Sequence, residues 1–384
     1  MSDKVNNKLY KKYEDAKKIL EGIIDYIYQS YEKRDVINPI EHRKSRLKKI
    51  DSIEEKLNKK GLEFTEQNID NHLHDVLGIR IVCCFLNDVN TIIDIINSLE
   101  SKDGIRIIKR KNYIGSPKEN SGYSSYHFLI EIPVYCYDEG KKYVKAEIQV
   151  RTIAMDMAAS LEHKLCYKKE WCPNNLREAI KNATDFCNYI DVDLNNVAIK
   201  INDNNKKVPN ITYPFMEDVE YSLFKYNYEE ALKIVNMKLN NLKSYYDTNE
   251  VENPIEHIKC RLKKDKQIIR KLILKDRTIN IPNISNHVKD IAGARIVCSF
   301  RSDIEKIVED IKNDSDFIII KDKEKDYIKT PKDSGYRGYH ILIGVRIPTG
   351  EYIPVEIQIR TIAMEMWASL EENICYHKET SPKL

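Results

Sequence analysis

Eleven residues that occur twice constrain this chain more than any other feature. Ala146-Glu147-Ile148-Gln149-Val150-Arg151-Thr152-Ile153-Ala154-Met155-Asp156 returns as Val355-Glu356-Ile357-Gln358-Ile359-Arg360-Thr361-Ile362-Ala363-Met364-Glu365. Near-identity of that length within one chain means duplication, and it places a carboxylate and an arginine twice where a strand enters a helix. The repeat extends further. Asn38-Pro39-Ile40-Glu41-His42 returns as Asn253-Pro254-Ile255-Glu256-His257, and Asp75, Gly78 and Arg80 return as Asp290, Gly293 and Arg295. A period above 200 residues is far too long for a solenoid and marks duplication of a whole domain.

A chain of 384 residues, 42% hydrophobic, is long enough for two cores. We expect a first domain over 1–170, a linker with partial helix over 171–218, and a second domain over 219–384. The 63 basic and 60 acidic side chains nearly cancel to +3, which disfavours a nucleic-acid coat or an acidic tail but leaves room for local phosphate-binding clusters. No apolar run approaches the roughly 18 residues that span a bilayer, and Met1–Lys8 has no apolar signal region, so a cytoplasmic protein is expected. Nine cysteines without a C-x-x-C pair favour reduced, buried thiols over disulfides or zinc. Cys83, Cys84 and Cys298 sit in apolar strands as packing residues.

Each copy reads in the same order. A long amphipathic helix (Leu9–Tyr31, Val219–Tyr246) precedes a basic helical segment (His42–Leu57, His257–Leu272). A short helix then leads into an apolar strand (Gly78–Leu86, Ala292–Phe300) suited to burial on both faces. A polar loop and a second strand follow (Tyr126–Pro133, Tyr339–Ile347). The third strand (Tyr143–Arg151, Ile353–Arg360) runs into a C-terminal helix. This order predicts an α+β, or α/β-like, fold: two tandem domains, each a mixed sheet flanked by helices. Asn202–Pro214 reads as linker.

Two acids recur in corresponding places, Asp75 with Glu147 and Asp290 with Glu356. Glu147 lies among Val144, Ala146, Ile148 and Val150, where a carboxylate is costly without a partner or a task. It either pairs with Arg80 or Arg151, or joins Asp75 in holding Mg²⁺ against a polyphosphate. The run His42-Arg43-Lys44-Ser45-Arg46-Leu47-Lys48-Lys49 is either a solvated helix face, with Lys44 and Lys48 four apart, or a phosphate clamp. The loops Pro117–Tyr123 and Pro331–Tyr336 are either plain turns or present a ring for a base to stack on.

In order, these motifs are Asp75-x-x-Gly78-x-Arg80, Tyr113-Ile114-x-x-Pro117-Lys118, Gly122-Tyr123-x-x-Tyr126-His127, Glu147-Ile148-Gln149-x-Arg151-Thr152, then Glu162-His163 and Tyr167-Lys168. The set resembles the RelA/SpoT synthetase domain, most closely the small, synthetase-only alarmone synthetases, over roughly 300 residues in both repeats. The resemblance implies a nucleotidyltransferase-like fold and transfer of pyrophosphate from ATP to the 3′-hydroxyl of GDP or GTP, giving (p)ppGpp and AMP. It implies Mg²⁺ at Asp75 and Asp290, and a catalytic glutamate, in contact with metal or with the 3′-hydroxyl, at Glu147 and Glu356. On the ATP side it implies Lys44, Ser45, Arg46, Lys48 and Arg80, with Lys259, Arg261, Lys263 and Arg295. On the acceptor side it implies Lys118, Tyr123 and His127, with Lys329, Lys332, Tyr336, Arg337 and His340. Arg151, Arg360 and His163 support the site. Small relatives commonly assemble as homo-oligomers, so a homo-oligomer or an internal pseudo-dimer is implied.

The copies depart from each other. The first has Asn112, Gly115, Ser124 and Ala159 where the second has Asp326, Lys329, Arg337 and Trp367, which reads as loss on the acceptor side. The second has Cys260, Gln267, Glu372 and His377 for Ser45, Ser52, His163 and Lys168, which reads as loss toward the ATP side and the C-terminal helix. We therefore expect at least one working site, with the other weakened or reused as a regulatory nucleotide pocket, and the second copy favoured for acceptor binding. Two alternatives stay open: a toxin-like relative that modifies tRNA 3′ ends or makes an adenosine alarmone, and a non-catalytic duplicated nucleotide sensor. His74-Asp75 is an isolated dipeptide, with Lys289 at the corresponding place in the second copy, so no alarmone hydrolysis and no separate regulatory domain are expected.

Overall fold

The computed structural model describes the chain except residues 1, 35–37, 102–103, 115–116, 119–120, 137–139, 168–172, 203–217, 250–251, 322 and 373–384. Two compact units result, Met1–Asn204 and Asn205–Leu384.

In the first unit α1 (Ser2–Arg34) is followed by β1 (His42–Leu47), α2 (Ile50–Asn58), α3 (Glu66–His72), β2 (Leu77–Cys83) and α4 (Leu86–Ser98). Then come β3 (Arg106–Asn112), β4 (Tyr126–Cys136), β5 (Gly140–Thr152), α5 (Ile153–Glu162) and α6 (Asn174–Asn202). The sheet order is β1-β2-β5-β4-β3, with β2 and β5 parallel and the other pairs antiparallel. The second unit repeats the plan with α7 (Val219–Asn249), β6 (Ile255–Leu262), α8 (Asp265–Leu274), α9 (Ile281–His287), β7 (Ala292–Cys298) and α10 (Arg301–Asn313). It continues through β8 (Phe317–Ile319), β9 (Lys325–Asp326), β10 (Tyr339–Arg346), β11 (Tyr352–Thr361) and α11 (Ile362–Glu371). Its sheet runs β6-β7-β11-β10-β8, with β9 on β10 and the parallel pair at β7–β11. Both units are the mixed, helix-flanked sheets expected from the sequence.

Period-two alternation decides which face is core. Val144, Ala146, Ile148 and Val150 of β5 are buried against α1, through Tyr13, Ala16, Leu20 and Ile24, and against α4, through Val89, Ile92 and Ile96. Glu147, Gln149 and Arg151 point to the other face. In the second unit Val355, Ile357 and Ile359 take the buried side, with α7 and α10 residues in the same core.

The basic segments depart from expectation. His42–Leu47 and Ile255–Leu262 are strands, and the helices begin only at Ile50 and Asp265. Pairing with the open edge of the buried β2 overrides local propensity, because β2 has backbone groups to satisfy. The opposite face of β1 is met by acids of α1: Arg43 pairs with Asp25, and the Ser45 hydroxyl donates to Glu21. The helix inside 171–218 is α6, which packs on α4 and α5; the linker Asn202–Pro214 lies outside the described residues beyond Asn202. Cys83, Cys84, Cys187, Cys260 and Cys298 are thiols outside any disulfide, but Cys166 is disulfide-bonded, against the expectation of reduced thiols. Among the described residues no helix is long and apolar enough to cross a membrane.

Candidate active site

Strand register assembles the site. Across the first sheet Arg46 of β1 lies opposite Gly78 of β2, and Gly78 opposite Glu147 of β5. In the next row stand Lys44, Arg80, Gln149 and His127. Directly opposed residues share a face, so the basic strand, the glutamate and the histidine line one groove. The glycine between Arg46 and Glu147 leaves the groove floor clear. The second sheet repeats both rows: Arg261, Gly293 and Glu356, then Lys259, Arg295, Gln358 and His340. There a single pocket is lined by Lys259, Arg261, Lys263, Asp290, Gly293, Ala294, Arg295, Glu356 and Gln358.

The repeated Glu-Ile-Gln-x-Arg-Thr motif is a hydrogen-bonded ladder along one face of the strand. The Gln149 amide donates to Glu147 Oε2 at 2.8 Å, Arg151 Nη2 donates to Gln149 Oε1 at 2.8 Å, and Thr152 caps α5 by accepting from the Met155 N–H. Glu147 meets neither Arg80 nor Arg151. Its other partner is His127, Nδ1 to Oε1 at 2.9 Å, while His127 Nε2 lies 2.8 Å from the Tyr123 hydroxyl, which accepts from Arg151 Nη2 at 2.5 Å. An arginine can only donate, so one consistent direction of donation runs Arg151, Tyr123, His127, Glu147. The second copy repeats it with Arg360, Tyr336, His340 and Glu356, at 2.6 Å, 2.6 Å and 3.4 Å.

Burial works to raise the Glu147 and Glu356 pKa values. Hydrogen bonds from the histidine and glutamine outweigh it and hold both carboxyls below the ordinary glutamate value. Burial lowers the His340 pKa in spite of the raising effect of Glu356.

The two arginines meet at an acid that sequence reading passed over. Asp156, 3% exposed, accepts from Arg80 at 2.8 Å and from Arg151 at 3.3 Å. Burial opposes its charge, but Arg80, His42, Lys44 and Arg151 keep its carboxyl well below the usual range. Glu365, one methylene longer, reaches Arg295 at 2.6 Å and Arg360 at 2.8 Å. The signal was its fixed place five residues after the motif arginine in both copies.

Asp75 lies at the groove end between Lys48 at 2.6 Å and Lys56 at 2.8 Å; Asp290 lies between Lys263 and Lys271 at 2.6 and 2.7 Å. Lys56 and Lys271 are further residues that the sequence did not single out. Ser45 was expected on the ATP side, but its bond to Glu21 puts it on the helix-facing side of β1. Cys260 likewise faces Asn236 of α7, so this exchange between the copies does not touch the groove. His163 caps the C-terminus of α5.

Desolvation raises the Asp290 pKa, but the two lysines prevail and pull it from 3.8 to about 2. A depressed folded-state pKa contributes stability above the unfolded value that is lost as pH falls through the folded value, here about 2 kcal/mol between roughly pH 4 and 2. Urea unfolding of Asp290→Asn should therefore show a deficit against wild type at pH 5 that closes by pH 2. A deficit independent of pH would contradict the pairing.

The acceptor-side loops close alike. Gly122 N–H donates to Lys118 O at 2.7 Å with φ +66°, and Gly335 N–H to Lys332 O at 2.8 Å with φ +81°, a left-handed turn that favours glycine. Lys118 Nζ lies 4.8 Å over the Tyr123 ring and Lys332 Nζ 4.4 Å over Tyr336. Tyr113 and Tyr327 set their rings edge-on to those tyrosines, 5.9 and 5.7 Å between centroids. Tyr336 is 6% exposed with the Arg360 guanidinium 4.9 Å from its ring centre, so a base could stack there only if Lys332 swings aside.

The first copy's departures are largely absorbed by structure. Asn112 Oδ1 accepts from Ile114 N–H as Asp326 Oδ1 accepts from Ile328 N–H. Arg337 donates to the Ile328 carbonyl, and Lys329 is exposed beside Asp326. Trp367 Nε1 holds the second loop at Ser334 O, whereas with Ala159 in the first copy the Asn188 amide of α6 holds Gly122 O. Gly115, Lys168 and His377 lie outside the described residues.

Asp75 faces Glu147 closely enough that its charge opposes ionisation of Glu147, and Asp290 does the same to Glu356. Two hard oxygen donors in one groove fit Mg²⁺, which takes one or two carboxylates and completes its shell with water and phosphate oxygens.

The family model described as a region found in RelA / SpoT proteins matches residues 45–171 and 260–381. The chain belongs to the RelA/SpoT family. It is 43% identical over 180 residues to GTP pyrophosphokinase YwaC of Bacillus subtilis strain 168, covering 47% of this chain and 83% of that protein. To GTP pyrophosphokinase YjbM of the same strain it is 34% identical over 164 residues, 42% of this chain and 75% of that one. Among solved structures, small alarmone synthetase 1 of Bacillus subtilis bound to its product pppGpp aligns with TM-score 0.45 and 29% identity, over 50% of this chain and 95% of that one. With these GTP pyrophosphokinase relatives, this RelA/SpoT protein is an enzyme, a pyrophosphotransferase.

Proposed function

We propose that the protein transfers pyrophosphate from ATP to the 3′-hydroxyl of GDP or GTP, giving (p)ppGpp and AMP. The observation that carries this reading is the shared groove: an ionised glutamate, a second acid and a row of arginines and lysines on one sheet face. The 3′-oxygen attacks the β-phosphorus of ATP, the bond from that phosphorus to the α–β bridging oxygen breaks, and AMP leaves. The hydroxyl proton passes to the Glu147 or Glu356 carboxylate, kept ionised and oriented by histidine and glutamine. Lys44, Arg46, Lys48 and Arg80 neutralise the triphosphate, and alignment plus charge neutralisation is most of what such a transfer needs. Mg²⁺, held by Asp75 and Glu147 or their counterparts, would supply further neutralisation of phosphate charge. Lys118, Tyr123 and His127 face the acceptor. The names of the curated relatives support guanosine acceptors. Incubation with ATP plus GDP, GTP, AMP or tRNA, followed by nucleotide chromatography, should give AMP with the guanosine nucleotides and none after chelation of divalent ions. Conversion with tRNA or AMP alone would reject the acceptor assignment, and no conversion at all would favour the sensor.

A further inference from the structure

The two donor grooves share one plan, but in the second an acid pairs with two of the lining arginines. Glu372, which stands where the first copy has His163, follows α11. Its Oε1 lies 2.7 Å from Arg261 Nη1, and its Oε2 lies 3.8 Å from Arg295 Nη2. These arginines are the counterparts of Arg46 and Arg80, proposed to neutralise the donor phosphates, and Glu365 already binds Arg295 from the buried side. The Glu372 side chain is 27% exposed, and Arg261, whose guanidinium it holds, is among the residues that line the pocket. In the first copy the counterpart Arg46 is exposed and pairs with no carboxylate among the described residues.

Carboxylate and phosphate oxygens compete for the same guanidinium fork. We propose that Glu372 is an internal stand-in for a nucleotide phosphate, which weakens the second copy's hold on a nucleoside triphosphate donor and leaves the first copy to perform the transfer. This rests on the donor assignment above. It also reverses the weighting suggested by the sequence: Asn112 and the Asn188 amide make contacts equivalent to those of Asp326 and Trp367 on the acceptor side, whereas a carboxylate on the donor arginines has no counterpart at Arg46 among the described residues.

Titration of the full chain with a non-hydrolysable ATP analogue tests this. Wild type should bind one analogue per chain tightly and a second at least about tenfold more weakly, the equivalent of about 1.4 kcal/mol. Glu372→Gln and Glu372→His should each bring the weak site to within about threefold of the strong one. Arg46→Ala should remove the strong site and leave the Glu372-sensitive one, and unchanged thermal transitions identify folded variants. Two equal sites in wild type, or a weak site indifferent to both Glu372 substitutions, would overturn the proposal while leaving the donor assignment standing. Binding at neither site would overturn both.

Discussion

Glu147→Gln is expected to lower pyrophosphate transfer by about 10²–10⁴-fold, the range for loss of a positioned general base, while Glu356→Gln leaves the rate within about twofold of wild type. The substitution keeps the size and removes the charge, and it leaves one carbonyl oxygen to accept where the carboxylate accepts at two, from His127 and Gln149. Gln149 and Arg151 would still lie along the strand, and His127 would still have its Tyr123 partner, so the effect should fall on the chemical step more than on nucleotide affinity. The asymmetry between the two variants follows from Glu372: both copies keep both acids, but Arg261 is paired with a carboxylate and its counterpart Arg46 is not, among the described residues. Steady-state rates of AMP formation decide this. Equal residual activity in the two variants would refute a single working copy.

Glu365→Ala should destabilise the second unit by about 3–5 kcal/mol, the cost of breaking a buried ion pair from one side. Glu365 is 1% exposed and joins Arg295, 7% exposed, to Arg360, 3% exposed. Truncation removes the buried carboxylate that the two guanidiniums share. It also frees Arg360, whose other nitrogen orients the Tyr336 hydroxyl and through it His340. Glu365→Gln, which retains an acceptor oxygen, should cost less. Denaturant unfolding followed on the second unit measures both, and wild-type stability in Glu365→Ala would show that the arginines find other partners or water.

The duplication and the strand bearing Glu147 were legible because period-two alternation and near-identical repetition are local signals. The basic segment was misread as a helix because its charges fit either period. What decides its conformation is the vacant edge of β2 and the acids Glu21 and Asp25 on α1, both remote in sequence. β3 escaped notice because, as an edge strand, it is exposed at most positions and carries no apolar alternation. The acids and the basic residues were recognisable as residue types, whereas their roles depend on register. Ser45 sits one residue from Lys44 and Arg46 and therefore on the opposite face. Asp156 and Glu365 look like ordinary helix acids until the fold places two arginines against them. Glu372 was visible as a difference between the copies, but only the 2.7 Å contact with Arg261 gives the difference a meaning.

The fate of the two terminal phosphates of ATP tests pyrophosphate transfer most directly. Reaction of the wild-type chain with GDP and ATP carrying radioactive phosphorus at both the β- and γ-positions, with products separated by chromatography and counted, should show both labels arriving together on the guanosine 3′-oxygen, with one unlabelled AMP formed per product. Formation of ADP with a single label transferred, or release of labelled phosphate to water without a guanosine product, would contradict it.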